Sequence, residues 1–252
     1  MSATPDSLIV RLATTPDEVR AAQRLRYRVF VEELGGDGPL VDHEAKIEAD
    51  AFDPFFQHLL LIDTAKDEVV GVYRLLTCDA ADAAGGFYSE SEFDLSALKA
   101  SGRKLLELGR SCLAPEYRGG TGMFRLWTAL AEFVAENEID ILFGVASFHG
   151  TDIDQLAPSF SLLHERHLAP AEISATAKPY QPMNLLNVAE IDRVAAMKQV
   201  PALIKAYLKI GGFVGDGAYI DHQFNTTDVC LILDTARLNP SQAALYRKDR
   251  NA

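Results

Sequence analysis

The pattern of apolar positions along the chain switches between two periods, one typical of strands and one typical of amphipathic helices. In the first hundred residues it predicts a strand at 7–13, a helix at 15–34, a hairpin of strands at 56–63 and 68–76, and a short helix at 95–100. Thr15 and Glu18 have the spacing of a capping box, which marks the start of the first helix. The segments 41–54 and 80–86 follow neither period and are expected to be irregular.

The middle of the chain combines a strand, a glycine-rich turn and a helix. An apolar run at 105–113 predicts a buried strand, and apolar positions from 123 to 134 recur with the helical period. The turn between them contains Arg118, Gly119, Gly120, Thr121 and Gly122. Free backbone N–H groups and a helix dipole converge at such a turn, so it could bind a phosphate, or it could be an ordinary flexible connection.

The second half of the chain continues with strands and helices in turn. The pattern predicts a buried strand at 140–148, a helix at 152–168, extended chain at 170–182, an apolar segment packed on the sheet at 201–210, and a strand at 227–233. Strands that first form hairpins and then alternate with helices are typical of a mixed α/β sandwich. We therefore expect residues 1–252 to form one domain.

Composition and charge narrow the class of protein. A chain of 252 residues that is 48% hydrophobic can bury a large core, and its net charge of −12 argues against binding to nucleic acid. Three widely spaced cysteines predict reduced thiols, as in the cytoplasm. No apolar run approaches the ~18 residues of a membrane span, and the first residues lack the pattern of a signal peptide.

Charged residues interrupt two segments that otherwise have buried patterns. Glu107 and Arg110 stand in the central strand, and a bulge near Gly109 would let both line one cleft, whereas a salt bridge at the sheet edge is the simpler interpretation. Arg26 lies between Ala22 and Phe30 on the apolar side of the first helix. A buried arginine there is more often a structural ion pair than a ligand contact.

An acidic group at Glu48, Asp50 and Asp53 follows the first helix, and Arg74 stands inside the predicted strand 68–76. The three carboxylates could bind a cation or an ammonium group, or they could be a solvated loop. Their spacing matches no calcium-binding loop, so we predict no metal.

These residues resemble a known family. Arg26 with Phe30, the acidic trio, Arg74, and the Glu107–Arg110 pair are similar to the acyl-homoserine-lactone synthases and their relatives in the GNAT acyltransferase superfamily. The resemblance implies a GNAT-like αβα sandwich with a splayed, mostly antiparallel central sheet.

Later segments resemble the bacterial L-ornithine Nα-acyltransferases more closely. These segments are LFGVASFHGTD, SLLHERHLAP and the run PALIKAYLKIGGFVGDGAYIDHQFNTTDVCLILD. The resemblance implies that residues from about 170 to 252 are a family-specific extension packed on the same sheet. The resemblance implies transfer of a 3-hydroxy fatty acyl group from acyl carrier protein to the α-amine of L-ornithine, the first step of ornithine lipid synthesis. Alternatives are a homoserine-lactone synthase, an N-acyltransferase for another amino acid, and a non-catalytic acyl- or lipid-binding module.

This chemistry gives each candidate residue an expected role. Backbone N–H groups of Ser111, Cys112 and Leu113 would stabilise the oxyanion, and either Glu48 or Glu107 would accept a proton. Asp50 and Asp53 would hold the cationic acceptor, Arg74 or Arg110 would meet its carboxylate, and Arg26 would order the acidic loop or the pantetheine arm. The acyl-pocket candidates are Phe143, Val145 and Phe148.

The turn at 118–122 departs from the coenzyme A signature of the superfamily, whose two small positions fall here on Thr121 and Met123. It better suits the single phosphate of a phosphopantetheine arm, so acyl carrier protein is the expected co-substrate and no cofactor is expected to be tightly bound. Docking of this acidic partner would need a basic patch, for which the candidates are Arg103, Lys104, Arg118 and Arg125. The expected location is the cytoplasm, with a peripheral membrane contact left open.

Overall fold

The computed structural model describes residues 7–39 and 41–238, which divide into two compact units. The first unit contains the residues up to Gly85 together with Glu107–Glu138, and the second contains Gly86–Leu106 together with the residues from Ile139 on. The last part of the predicted C-terminal extension, 239–252, lies outside the described residues. The expectation of a single domain stays a prediction.

The described part of the chain contains twelve strands, seven α-helices and one π-helix. The strands are β1 (Leu8–Leu12), β2 (Val41–Asp42), β3 (Ile47–Glu48), β4 (Gln57–Asp63), β5 (Glu68–Thr77), β6 (Phe93–Asp94), β7 (Leu105–Leu113), β8 (Ile141–His149), β9 (Thr176–Ala177), β10 (Phe213–Val214), β11 (Tyr219–Asp221) and β12 (Thr226–Asp234). The α-helices are α1 (Pro16–Arg26), α2 (Cys78–Ala84), α3 (Ser96–Ala100), α4 (Gly122–Glu136), α5 (Ile153–His167), α6 (Arg193–Gln199) and α7 (Ala202–Lys209). A π-helix spans Tyr27–Glu33.

The first unit is built on the strand order β1-β4-β5-β7, with β1–β4 and β4–β5 antiparallel. A Cβ on Gly71 would meet Leu126 of α4, so this face of β5 packs against α4. Arg74, three residues further along the strand, binds the same Asp53 carboxylate as Arg26 of α1, and α1 packs on β5. Since neighbouring side chains of a strand point to opposite faces, α1 and α4 cover opposite faces of this sheet. The unit thus has the αβα layering expected from the sequence.

The second unit is organised around β12, which pairs antiparallel with β8 over nine residues and also with β10 and β11. The register joins Ile141 to Asp234 and His149 to Thr226 without interruption. On one face of β8, Phe148 packs edge-to-face on Phe160 of α5 at a centroid distance of 5.0 Å. The predicted mixed α/β class with mostly antiparallel pairing is therefore confirmed.

Most predicted elements are confirmed, and three segments differ. The segment 41–54, expected to be irregular, contains the short strands β2 and β3. The first helix ends its α-helical part at Arg26 and continues as the π-helix, a change of hydrogen bonding that leaves no mark in the apolar period. The segment 80–86, expected to be irregular, lies largely in α2, because its alanines are strong helix formers and Gly85 ends the helix with φ +87°. In the described part of the chain, no helix is both long and apolar enough to cross a membrane.

Candidate active site

Six charged side chains meet in the first unit, and we call them the charged cluster. They come from the end of α1, from β3 and the loop after it, from β5 and from β7, and they are Arg26, Glu48, Asp50, Asp53, Arg74 and Arg110. These are six of the seven predicted catalytic and substrate-binding residues, and the seventh, Glu107, is buried in β7, the strand that also carries Arg110.

Two buried arginines form the inside of the charged cluster. Arg26 donates from Nε to Glu48 and from Nη1 to Asp53 Oδ1, the latter at 2.5 Å. Arg74 donates from Nη1 to Asp50 Oδ2 and to Asp53 Oδ1, both at 2.7 Å. Asp53 therefore bridges the two arginines. The interpretation of Arg26 as a structural ion pair agrees with this geometry.

Arg110 and Asp50 form the outer edge of the charged cluster, with 19% and 17% of their side chains exposed. Arg110 donates from Nε to Glu48 Oε1 at 3.2 Å and places Nη2 3.4 Å from Asp50 Oδ2. These two side chains present one positive and one negative group to solvent from an otherwise buried network.

The arginines decide the protonation of the buried carboxylates. Burial would raise the pKa of Glu48, but the charges of Arg110 and Arg26 outweigh it and lower this pKa to about 2. The same balance, set by Arg26 and Arg74, holds the pKa of Asp53 well below its ordinary value. Glu48 is therefore a weak base. Asp53 is buried between two arginines, and its expected role toward the acceptor stays a prediction.

The backbone of β7 is irregular at Arg110, one residue beyond the position of the predicted bulge, and the bulge itself stays a prediction. Arg110 has φ +49°, in the left-handed region that non-glycine residues rarely adopt. A Cβ on Gly109 would lie 3.6 Å from Nη2 of Arg74, so the guanidinium lies within ordinary van der Waals distance of this position. Glu107 is buried in the same strand. Whether Glu107 and Arg110 border one cleft stays a prediction.

Cys112 is buried in β7, and burial raises the pKa of its thiol to about 12. A thiol in this state is a poor nucleophile at neutral pH. Ser111 beside it is half-buried, and its backbone N–H, with those of Cys112 and Leu113, stays a prediction for the oxyanion site.

Two residues that the sequence analysis missed complete the charged cluster. Gln23 donates from Nε2 to Asp53 Oδ2 at 3.0 Å, and His58 is buried with Nε2 3.2 Å from the carbonyl oxygen of Asp53. Burial lowers the pKa of His58, so its imidazole is neutral at pH 7. Both residues could have been found from their spacing to the buried arginines. Gln23 lies one helical turn before Arg26, and His58 faces Arg74 in the hairpin register.

The turn at 118–122 joins the end of β7 to α4. Arg118 donates from Nε to the carbonyl oxygen of Leu113 and from both Nη atoms to Glu33, at 2.5 and 2.7 Å. Gly119 has φ +74° and is followed by Gly120, while Thr121 stands at the N-cap of α4 without a side-chain cap. A Cβ on Gly122 would come within 3.1 Å of Leu61, so close packing is one reason for a glycine at this position.

The candidates for a basic patch are largely engaged within the protein. Arg103 binds Asp234 at 2.7 Å, Arg125 donates to the carbonyl oxygen of Leu8 at 2.8 Å, and Arg118 binds Glu33. Lys104 is exposed. Carboxylates therefore offset the charge of Arg103 and Arg118.

The three acyl-pocket candidates do not share one face of β8. Its uninterrupted register with β12 puts Phe143 and Val145 on one face and Phe148 on the other, where it packs on Phe160. Phe143 instead packs edge-to-face on Phe87 at 5.0 Å. Strand side chains two apart share a face and those three or five apart do not, so an acyl pocket at these three residues stays a prediction without support from a common face.

Among residues 7–39 and 41–238, no group of three or more histidine, cysteine or acidic side chains could hold a metal ion.

Comparison with known proteins identifies the class. The family described as "Acetyltransferase (GNAT) domain" matches residues 25–128. The fold resembles that of FeeM, an N-acyl amino acid synthase from uncultured soil microbes, with a TM-score of 0.52 and 15% identity over 94% of this chain and 97% of that one. The matched domain is of the GNAT type, and the likeness to FeeM is one of fold.

Full-length relatives identify the family. An L-ornithine N(alpha)-acyltransferase of Rhodobacter capsulatus is 53% identical over 98% of this chain and 98% of that protein. A protein of the same name from Brucella abortus is 40% identical over 97% of this chain and 90% of that protein. The chain belongs to the L-ornithine Nα-acyltransferase family.

Proposed function

We propose that this enzyme transfers a 3-hydroxy fatty acyl group from acyl carrier protein to the α-amine of L-ornithine, as the first step of ornithine lipid synthesis. The observation that carries this proposal is the full-length identity of 53% with a protein named L-ornithine N(alpha)-acyltransferase. The 3-hydroxyacyl group, the carrier and the pathway step come from the family resemblance of the sequence. The charged cluster supports it, because a site for a charged amino acid needs positioned groups of both signs.

The outer edge of the charged cluster is the proposed site for the acceptor. Arg110 meets the carboxylate of ornithine, and Asp50 meets an ammonium group, since these two side chains are partly exposed and of opposite sign. Arg26, Asp53 and Arg74 hold them from inside, so that little reorganisation is needed when the acceptor binds.

Glu107 is the proposed base. Glu48 is held ionised by Arg26 and Arg110 with a pKa of about 2, and a group with so low a pKa accepts a proton poorly. In the proposed reaction the α-ammonium group gives a proton to Glu107, directly or through water. The neutral amine then attacks the thioester carbonyl carbon, and a C–N bond forms.

Collapse of the tetrahedral intermediate completes the transfer. The oxyanion is stabilised by backbone N–H groups of Ser111, Cys112 and Leu113 until the C–S bond breaks. The departing thiolate takes the second amine proton and leaves as the free thiol of the carrier. No acyl-cysteine is involved, because the Cys112 thiol has a pKa of about 12.

The donor is proposed to bind at the turn before α4. The phosphate of the phosphopantetheine arm lies against the backbone of Gly119, Gly120 and Thr121, where the first turn of a fifteen-residue helix has no side-chain cap. Arg118 borders the site, held by Glu33 and Leu113. Phe143 and Val145 remain the candidates for contact with the acyl chain.

The proposed location is the cytoplasm, with a peripheral contact at the inner face of the membrane. Three free cysteines, Cys78, Cys112 and Cys230, suit a reducing compartment. The product would be an acylated amino acid with a long apolar chain, which partitions into lipid.

The test supplies 3-hydroxyacyl carrier protein and measures release of the carrier thiol with a panel of acceptors. Ornithine should release thiol and give the mass of the N-acyl product. Lysine should react roughly 10- to 100-fold more slowly, since a displaced ammonium loses a charge-assisted contact of about 1.5–3 kcal/mol. Replacing the carrier by acyl-coenzyme A measures the donor preference.

Other outcomes would point to the alternatives. Thiol release with S-adenosylmethionine, without ornithine, would indicate a homoserine-lactone synthase. Equal rates with neutral amino acids would indicate an N-acyltransferase of broader specificity, and absence of turnover with bound acyl carrier protein would favour a binding module.

A further inference from the structure

A segment of the second unit, residues 183–199, is held against α5 by two serines. Ser161 Oγ donates to the carbonyl oxygen of Met183 and accepts the N–H groups of Leu185 and Leu186, at 3.1 and 2.9 Å. Ser159 Oγ donates to the carbonyl oxygen of Ala196 at 2.8 Å. Both serines are buried, so the two ends of the segment are fixed in a well-defined conformation.

The inner side chains of this segment form a small core. Val188 and Ala196 pack with Leu162 of α5, and Ile191 and Met197 pack against them. Other apolar residues of the segment lie outside this small core, so packing in the core does not explain why they are apolar.

Three large apolar side chains of the same segment face solvent. Leu185 is 37% exposed, Leu186 is 47% exposed and Val194 is 80% exposed. Single exposed apolar residues are common, but three within ten residues, on a backbone that is held rigidly, are more typical of an interaction surface.

The charge next to these residues is opposite to that of the whole chain. Residues 193–210 contain Arg193, Lys198, Lys205 and Lys209 and no acidic residue, in a protein with a net charge of −12. Lys205 donates to the carbonyl oxygen of Lys198, which joins α6 to α7. The two preceding carboxylates are engaged locally, since Asp192 caps α6 and Glu190 accepts from Asn187.

We propose that the 183–199 segment, together with the basic residues of α6 and α7, is a docking surface for an anionic lipid membrane. Exposed aliphatic side chains enter the boundary between headgroups and acyl chains, and lysine and arginine meet the anionic headgroups. The proposal rests on the proposed function, because an enzyme whose product is an amphiphile gains from releasing it at a lipid surface. It names the surface that would make the contact.

The test measures co-sedimentation of the full-length protein with vesicles, without substrates. Vesicles rich in phosphatidylglycerol should bind the protein, and vesicles of phosphatidylcholine alone should bind it much less, with the difference reduced by salt. The double variant Leu185→Ser/Leu186→Ser should bind about tenfold more weakly, since two aliphatic side chains are lost from the interface. Lys198→Gln should weaken binding about fivefold.

The matched control is Ile9→Thr in β1 of the first unit. Ile9 is 42% exposed, close to the exposure of Leu186, so this variant removes a comparable apolar surface elsewhere and should leave vesicle binding unchanged. Thermal unfolding is measured for every variant to check that the fold is kept. Equal binding by Leu185→Ser/Leu186→Ser, Ile9→Thr and the unchanged protein would overturn the proposal.

A carrier-protein surface is the competing outcome. If the serine variant keeps its vesicle binding but raises the KM for acyl carrier protein, the segment docks the carrier and the membrane proposal is wrong. The vesicle assay needs no turnover, so its result is independent of the acceptor assay. Failure of ornithine acylation with intact vesicle binding would overturn the proposed function alone.

Discussion

The charged cluster and the turn at 118–122 are both held by arginine–carboxylate pairs. The pairs of the cluster are largely buried, whereas the pair at the turn is exposed. Arg26 and Arg74 are fully buried, and each carboxylate of the cluster contacts an arginine of the network. Arg118 and Glu33 form a two-pronged pair of good geometry, yet 40% and 36% of their side chains are exposed.

This difference predicts different consequences for function. An exposed ion pair is screened by water and contributes up to about 1 kcal/mol, so Arg118 can exchange Glu33 for another anion at little cost. A buried network cannot exchange partners in this way, because each charge left unpaired is expensive. The cluster is therefore suited to fix geometry, and the turn is suited to bind and release a donor.

The largest expected effect comes from breaking the buried network. Arg26→Gln should lower the free energy of unfolding by about 3–5 kcal/mol, because Glu48 and Asp53 lose their shared partner. Chemical denaturation measures the loss. Arg24→Gln, on the exposed side of the same helix, is the control and should change stability by less than about 0.5 kcal/mol. Equal effects of the two variants would show that the network is not a source of stability.

Acid should weaken the same network. The pKa of Glu48 in the folded protein, about 2, lies below its unfolded value, so its contribution is complete above about pH 4.5 and is lost as pH falls toward 2. The loss from this group should reach about 3 kcal/mol in urea unfolding experiments. Glu48→Gln should unfold with a shallower dependence on pH in this range. An unchanged pH dependence would contradict the ion pairing of Glu48.

Glu107 and Glu48 are both buried carboxylates, and we expect Glu107 to act as the base and Glu48 as an ion-pair partner. Glu107→Gln should lower kcat at least about 100-fold, the usual contribution of a general base, and should leave the protein folded. Glu48→Gln should act mainly through stability. Turnover assays and thermal unfolding of both variants make the comparison. A Glu107→Gln enzyme with normal kcat but a reduced melting temperature would assign Glu107 to structure.

The smallest effect is expected in the exposed turn. Gly119→Ala should cost about 1 kcal/mol of stability, because its φ of +74° strains any residue with a Cβ, although the space around it is open. Gly120→Ala has no such strain and should be close to neutral. Denaturation of the two variants tests the difference, and a neutral Gly119→Ala would mean that the turn adapts.

The sequence predicted the elements of the fold well because their signals are local. The capping box at Thr15, the hairpin at 64–67 and the apolar run of β7 each act within a few residues, and the structure confirms all three. The π-helix and α2 were missed, since the first depends on hydrogen bonding and the second on alanines that also occur in loops.

The sequence predicted which residues belong to the candidate site, but it did not predict which of them form ion pairs with each other. Arg26, Asp53 and Arg74 were expected to be near the chemistry, yet no spacing in the sequence shows that Asp53 bridges the two arginines. Pairing depends on where the loop after β3 meets β5, which is a tertiary property. The face of Phe148 could have been predicted, because alternation along β8 separates it from Phe143 and Val145.

The central claim is that the acyl group is transferred to the α-nitrogen of ornithine, and isotope labelling tests this claim most directly. The enzyme is incubated with 3-hydroxyacyl carrier protein and L-ornithine carrying ¹⁵N only at the α-amine, and the product is analysed by NMR. The account predicts an amide proton split by ¹⁵N and an unlabelled free amine at the δ position. A labelled free amine, or an amide without the label, would place the acyl group on the other nitrogen and contradict the account.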